Sequence, residues 1–428
     1  MSDENKIIAI DFGSSHITLI AAEVVDGAQV RVLAVEESHK SNILRGGIIE
    51  QTSSAAYQVS ELSKKLRNSL RLMVNLDVDI RSIYVSVNAK TMHSVRHMAE
   101  REFKHFTQIT DALLAEIENE CRKEFEKDKT AAVYVYDLIP LFYEIDGKRS
   151  NDPEGQKCYS LQATYNVIVG EKIIIDNING SFDRTGITPQ KYIPLSMEAI
   201  AEAILTPDEC EDGTALINLG ATTTTLALYA NGTLENLTVV PLGSFHLTKD
   251  IQNLGISERN AEKLKRLKGA AMAQLVEKHE KIIVPPAQPD DDDVKIETPF
   301  LAHIIEARLD EILQPIFSVL EKNKDKIGAG IVLAGGGSNL NGILEFVQQR
   351  TDMITRFGDH SEKLTDDTDE AFANPVYAQI IGTCLMIDNY RRENPQNIEI
   401  KDPPTPKIKW KDKLAQGFRR LFDDDNPM

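Results

Sequence analysis

Short apolar runs separated by turn residues organise the first part of the chain. Residues 6–10 predict a buried strand, and the small polar residues after them predict a turn. Residues 17–25 and 30–38 predict two more strands, joined by a hairpin at Asp26-Gly27. Between residues 53 and 70, apolar side chains recur at helical spacing, which predicts an amphipathic helix.

The same layout recurs in the second half of the chain. Residues 213–243 again predict strand, glycine turn, strand, Asn-Gly hairpin and strand, which indicates an internal duplication of a βββ unit. Between the two copies, the pattern predicts a helix that is capped by Thr110 or Asp111, then strands, then helices over 173–187 and 197–205. Residues 328–347 predict a strand, a glycine-rich turn and a helix.

Composition narrows the classes of function. The chain has 428 residues and a formal net charge of −18, which argues against a general nucleic-acid-binding protein because such proteins present a basic face. Neither a membrane-spanning apolar run nor a signal peptide is predicted. The four cysteines lack metal-ligand spacing, so reduced thiols are expected.

Three turns after apolar strands are rich in small residues: "AIDFGSSH", "LINLGATTTT" and "VLAGGGSNLNGI". Small side chains let a ligand approach backbone N–H groups, which bind phosphate oxygens well. Each turn alone could be an ordinary β-turn. Together and in this order, the three turns favour a nucleotide site.

These motifs resemble those of the actin/Hsp70/sugar-kinase ATPase superfamily. The resemblance implies an ATP site with Mg²⁺, in which Asp11 holds the metal through water and Asn218 is the weaker catalytic counterpart. The helix "AEKLKRLKG" resembles the one that contacts ribose and adenine in this superfamily. The nucleotide-binding residues implied are Gly13, Ser14, Ser15, His16, Gly220, Ala221, Thr222, Thr223, Glu262, Lys265, Gly335, Gly336, Gly337, Ser338 and Asn339.

The chain departs from the superfamily pattern at several positions. Asn218 stands where the second phosphate motif normally begins with Asp, so it brings no negative charge to a metal. Ile193 stands before Pro194, where some relatives keep a carboxylate, and Glu198 is only a loose substitute. Phosphoryl transfer to water needs a positioned nucleophile and metal charge. We therefore expect ATP binding with weak or absent hydrolysis.

Other segments resemble the FtsA family of bacterial cell-division proteins. Residues 85–170 are similar to that family's inserted subdomain, "VVPLGSFHLTKDI" to its "PvGGdhvTnDI" motif, and "NPVYAQIIGTCLM" to its last connecting helix. The resemblance implies an α/β, actin-like two-lobed ATPase fold with duplicated βββαβα units, an FtsA-type inserted subdomain and a C-terminal amphipathic helix.

The same resemblance predicts how the chain is divided. The first lobe comprises a core (residues 1–84), the inserted subdomain (85–170) and connecting helices (171–205). The second lobe comprises a core in two parts (206–239 and 301–375) around a small subdomain (240–300). A last connecting helix (376–392), a flexible linker (393–406) and a membrane-targeting amphipathic helix (407–428) follow.

The C-terminal segment has the pattern of a membrane-surface helix. Its apolar positions would form one stripe, and basic residues mainly occupy the other face, which suits an anionic leaflet. Alternatively, the helix could dock on the protein's own core or on a partner. The residues assigned to membrane contact are Ile408, Trp410, Leu414, Phe418, Leu421, Phe422, Lys409, Lys413, Arg419 and Arg420.

The family resemblance implies a function and partners. It describes an ATP-binding, polymerising protein that anchors the FtsZ ring to the cytoplasmic face of the membrane at the division septum. Its partners would be the FtsZ C-terminal tail, itself as a filament, an anionic membrane surface and later division proteins. Alternatives are another actin-like membrane-associated scaffold for shape or pilus assembly, or a small-molecule kinase. An Hsp70-type chaperone would need a further peptide-binding domain.

Overall fold

The computed structural model describes residues 6–25, 28–38, 43–127, 132–276, 279–288 and 292–394 of the chain. The predicted linker, apart from its first two residues, and the predicted amphipathic helix lie outside the described residues. Every described helix is too short or too polar to cross a membrane.

The first part of the chain forms a five-stranded sheet with helices on both faces. Its elements are β1 (Lys6–Phe12), β2 (Ile17–Val25), β3 (Gln29–Ser38), β4 (Leu44–Arg45), β5 (Ile48–Ile49), α1 (Thr52–Met73) and β6 (Ser82–Val85). β4 and β5 pair only with each other. Strand alternation directs Ile8 and Ile10 towards α1, and Ile7 and Ala9 towards the last helix of the chain.

The predicted insertion is a separate set of strands with one helix. It comprises β7 (His93–Gln108), α2 (Asp111–Glu126), β8 (Val133–Ile145), β9 (Lys148–Ser150) and β10 (Lys157–Glu171). The hydroxyl of Thr110 accepts a hydrogen bond from the N–H of Leu113 at 3.3 Å, which confirms that Thr110 caps α2.

The chain then returns to the first sheet through α3 (Ile173–Gly180), β11 (Thr188–Pro189), α4 (Ser196–Ile204) and α5 (Pro207–Asp212). The first sheet has the strand order β11-β6-β1-β2-β3. The prediction of one helix over 173–187 is wrong at its C-terminal end. Arg184 and Gly186 adopt φ of 61° and 75°, and this left-handed backbone cannot continue an α-helix.

The second half repeats the βββ unit and adds more helices. Its elements are β12 (Thr214–Leu219), β13 (Thr224–Ala230), β14 (Thr233–Val240), α6 (Ser244–Gln252), α7 (Glu258–Lys268), β15 (Lys281–Val284), β16 (Val294–Glu297), α8 (Thr298–Lys322), β17 (Gly330–Ala334), α9 (Ile343–Thr351), β18 (Thr355–Phe357) and α10 (Ala378–Glu393). In both halves the first strand pairs antiparallel with the second and parallel with a later one. The predicted duplication is confirmed.

The inserted strands extend the sheet of the second half. The order of this second sheet is β18-β17-β12-β13-β14-β7-β10-β8-β9, and β14 meets β7 at the single pair Thr238 and His93. The hydroxyl of Ser94 accepts a hydrogen bond from the Leu237 N–H at 2.6 Å, which reinforces this junction. The insertion is therefore joined to both halves of the molecule.

Candidate nucleotide-binding cleft

The first phosphate-type turn follows β1. A Cβ on Gly13 would lie 2.5 Å from the carbonyl oxygen of His16, so the tightness of the turn requires glycine. The Ser15 hydroxyl and Nδ1 of His16 are 2.8 Å apart, and this hydrogen bond holds the imidazole against the turn. Backbone N–H groups of Ser14 and Ser15 therefore lie on a surface with little side-chain cover.

The second turn follows β12 and faces the first one. The Gly220 N–H donates to the carbonyl of Thr223 at 3.0 Å, which closes the turn. The Thr222 hydroxyl donates to the Ser14 hydroxyl at 2.7 Å. This bond joins the two halves of the molecule directly at the paired turns.

The third turn follows β17 beside the second. Gly335 has φ of +83°, and a Cβ there would overlap the side chain of Asn218 and lie 2.8 Å from the Leu219 carbonyl. Gly336 differs, because a Cβ there would meet only Cγ2 of Val376, at 3.6 Å. The backbone at Gly336 is thus open to the space in front of it.

All three turns border one cleft of about 1810 Å³. The predicted site residues that line it are Asp11, Gly13, Ser14, Ser15, His16, Asn218, Gly220, Ala221, Thr222, Thr223, Glu262, Lys265, Gly335, Gly336, Gly337 and Asn339. Ser338 does not line it, because this residue is buried and its hydroxyl donates to the carbonyl of Gly335 at 2.6 Å. The space exceeds the roughly 300–1,000 Å³ of most small-molecule pockets, and it suits a ligand with several chemical parts.

Asp11 lies at the base of the cleft with a partner that sequence reasoning missed. Nε2 of Gln379, the second residue of α10, donates to Asp11 at 2.7 Å and to the Ser86 hydroxyl at 3.1 Å. Burial raises the pKa of Asp11 to about 7, and the bond from Gln379 offsets part of that rise. A cation beside Asp11 would favour the carboxylate. In the sequence, the one indication of Gln379 as a site residue is its position in the predicted last helix.

Glu262 and Lys265 lie on α7 and bond to each other and to α6. The Lys265 ammonium lies 2.7 Å from Glu262, 2.9 Å from the Thr248 hydroxyl and 3.1 Å from the Ser244 carbonyl. These contacts use the three donors of the ammonium group. Burial opposes ionisation of Glu262, but Lys265 and Thr248 outweigh it and lower the pKa of Glu262. Lys265 thus orients Glu262, whose carboxylate faces the cleft.

The helix α4 presents no carboxylate to the cleft. Ser196 and Ile200 are the α4 residues that line it, one helical turn apart. Glu198 falls between them on another face of α4, and it does not line the cleft. The described cleft therefore contains no evident acidic side chain on α4 that could activate a water.

Sequence reasoning also missed a set of basic residues around the cleft. These residues are Arg45, Lys90, Lys249, Arg259 and Arg266. Lys249 and Arg266 lie in motifs quoted above, and Arg259 and Arg266 are both on α7. Lys249 pairs with Glu258 at 2.6 Å, and Asp11, Glu37 and Glu50 also line the cleft, so its lining carries both signs of charge.

Comparisons with known proteins show what the chain is similar to. The family model described as "Cell division protein FtsA" matches residues 215–382, which include the second and third turns and the start of α10. The cell division protein FtsA of Porphyromonas gingivalis is 26% identical over 385 residues, covering 87% of this chain and 76% of the relative. Relatives with the same description in other bacteria align over most of the chain as well.

Solved structures show the fold. A chain of the PilM-PilN type IV pilus biogenesis complex superposes with a TM-score of 0.63 at 16% identity, covering 92% of this chain and 98% of that chain. MreB5 of Spiroplasma citri bound to ADP gives 0.50 at 12% identity, covering 93% and 99%. The predicted actin-like α/β fold is confirmed. The family model and the relatives agree that the chain is similar to cell division protein FtsA, and the solved structures show that it has the actin-like fold.

Proposed function

We propose that this chain is an ATP-binding, polymerising cell-division protein that attaches the FtsZ ring to the cytoplasmic face of the cell membrane at the septum. The description of its relatives as cell division proteins supports the cellular role. The observation that carries the nucleotide part is the convergence of three small-residue turns on one cleft. Backbone N–H groups in such turns suit phosphate oxygens, because small side chains let the ligand approach.

The residues of the cleft fit ATP with Mg²⁺. The open backbone at Gly336 leaves room for an adenosine, while the turns at Ser14 and Thr222 lie where phosphates would approach. Asp11 would hold the metal through water, and Mg²⁺ usually keeps several waters in protein sites. MreB5, which shares the fold, has been solved with ADP.

Hydrolysis by this site would be weak or absent. Asn218 brings no charge to the metal, and α4 presents Ser196 and Ile200 rather than a carboxylate. Both features weaken the positioning and electrostatic stabilisation on which phosphoryl transfer depends. The absence of a carboxylate on the cleft face of α4, and the neutral Asn218 beside the second turn, give less support to a small-molecule kinase, which needs a base near the acceptor hydroxyl.

Membrane attachment would come from the C-terminal segment. Residues 407–422 contain six basic residues and one acid, with apolar residues at helical spacing, as in interfacial helices. The FtsZ tail would bind the region of residues 240–300, and copies of the chain would associate end to end. Co-sedimentation with anionic vesicles tests the membrane contact, and capture of the chain on beads that carry an FtsZ tail peptide tests the FtsZ contact. A chain that stays in the supernatant with vesicles, or that is not retained on the beads, would contradict the corresponding partner.

A pair of variants at Gly336 tests the cleft. Gly336→Asp places a charged side chain in the open space before the third turn, where the adenosine would lie, and we expect about a hundredfold weaker ATP binding. Gly336→Ala adds only a methyl group near Val376, and binding should stay within about twofold. Retention of labelled ATP measures both. Undiminished retention by the Asp variant would refute the assignment of the cleft.

A further inference from the structure

The helix α1 ends in three consecutive exposed apolar side chains. Leu72 is 84% exposed, Met73 76% and Val74 39%, whereas Leu66 and Leu70 on the same helix are buried. We name residues 72–74 the α1 tip. Scattered single apolar residues are normal on protein surfaces, but a run of three exposed ones has a functional reason or is a liability.

The α1 tip lies at the end of the first sheet from which the C-terminal segment departs. The Arg67 guanidinium lies 3.6 Å from Asp79, which Arg81 contacts at 2.7 Å, so the last turns of α1 lie beside the start of β6. β6 runs parallel to β1, whose first residue is Lys6. The Arg391 guanidinium, on the last turn of α10, donates to the Lys6 carbonyl at 3.0 Å.

The opposite end of the same strands holds the cleft. β1 runs from Lys6 at this end to Asp11 at the base of the cleft. A surface that contacts the α1 tip would therefore leave the cleft accessible from the other side.

Charge and chain length favour a membrane as the occupant. Arg71 is exposed next to the tip, whereas Arg81 and Arg392, which are also exposed, pair with Asp79 and Asp388. Exposed basic residues near apolar ones are attracted to anionic headgroups. Residues 395–407 number 13 and can span at most about 45 Å, which is long enough for residues 408–422 and the tip to reach one bilayer.

We propose that the α1 tip is a second membrane contact of this protein: Leu72 and Met73 enter the interfacial layer of an anionic bilayer, with Arg71 at the headgroups. The inference rests on the proposed attachment through the C-terminal segment. Two separated contacts would fix the orientation of the body on the membrane, which a single tethered helix cannot do.

The single tryptophan of the chain makes a direct test possible. In the full chain, Trp410→Phe preserves the apolar stripe of the C-terminal segment and removes the native tryptophan fluorescence. When Met73→Trp is added, the tryptophan fluorescence reports on the α1 tip alone. With phosphatidylglycerol-containing vesicles we expect a blue-shifted emission and quenching by brominated acyl chains. The matched control is Trp410→Phe with Leu267→Trp, because Leu267 is 67% exposed on α7, whose Glu262 and Arg266 line the cleft. That control should show neither effect.

Flotation with the same vesicles measures the contribution of the tip. The double variant Leu72→Ser with Met73→Ser should weaken vesicle affinity about tenfold, because it removes two apolar side chains that are only partly buried in the membrane. The control Leu267→Ser should leave the vesicle affinity unchanged. If the wild type does not float, membrane attachment itself is refuted and the inference with it. If the wild type floats but the fluorescence of the Met73→Trp variant is not quenched, only the membrane contact of the α1 tip is refuted. A blue shift that depends on protein concentration and is not accompanied by quenching from the lipids would refute the membrane contact. It would show instead that the tip contacts another copy of the chain.

Discussion

The crossing of α4 and α10 gives a prediction whose size follows from the structure. Gly382 lies on α10 against the backbone of α4. A Cβ at this position would lie 2.5 Å from the carbonyl carbon and 3.2 Å from the Cα of Ala199, and it would overlap the carbonyl oxygen. The obstacle is backbone in a helix interior, which cannot rotate aside as a flexible side chain can. We therefore expect Gly382→Ala to force the two helices apart.

The net cost can be estimated from two opposing effects. Overpacking of a filled interior costs about 1–3 kcal/mol, and contact with rigid backbone places this site at the upper end. Alanine is favoured over glycine in a helix by about 1 kcal/mol, which offsets part of the cost. A net loss of about 2 kcal/mol would lower the melting temperature of a unit of about 200 residues by roughly 4–8 °C.

Thermal unfolding followed by circular dichroism measures this effect. Gly180→Ala is the matched control, since it is also a helical glycine, and its Cβ would lie 3.4 Å from a methyl group of Thr52 without meeting backbone. Its melting temperature should match the wild type or exceed it slightly. ATP binding should weaken in Gly382→Ala alone, because Gln379, one turn earlier on α10, holds Asp11. A wild-type melting temperature for Gly382→Ala would refute the reasoning.

Two further predictions concern charge. Asn218→Asp should raise the rate of ATP hydrolysis, measured by phosphate release, because it restores a negative charge beside the metal. An unchanged rate would mean that another feature, such as the lack of a carboxylate on α4, limits hydrolysis. His360 is buried, and burial lowers its pKa below the ordinary 6.5, so the unfolded chain binds its proton more readily. Its contribution to stability is present above pH 6.5 and lost as the pH falls below it, and the melting temperature should drop more steeply from pH 7 to 5 in the wild type than in His360→Gln.

The sequence alone determined the features that depend on neighbouring residues. The apolar run at residues 6–10, a helix cap at Thr110 or Asp111 and the small residues of the turns at Gly13 and Gly220 act over a few positions, so a local pattern identifies them. The duplicated βββ unit can be identified from the sequence for the same reason. An ordered set of such motifs is enough to indicate the actin-like fold.

Only the tertiary structure decided the contacts between distant segments. The bond from Gln379 to Asp11 joins residues 368 positions apart, and the pairing of His93 with Thr238 merges the insertion with the second sheet. Lys265 carries the expected charge, yet its donors go to Ser244, Thr248 and Glu262. Such outcomes depend on which surfaces meet when the chain packs, and a periodicity of two or of 3.6 residues carries no information about that.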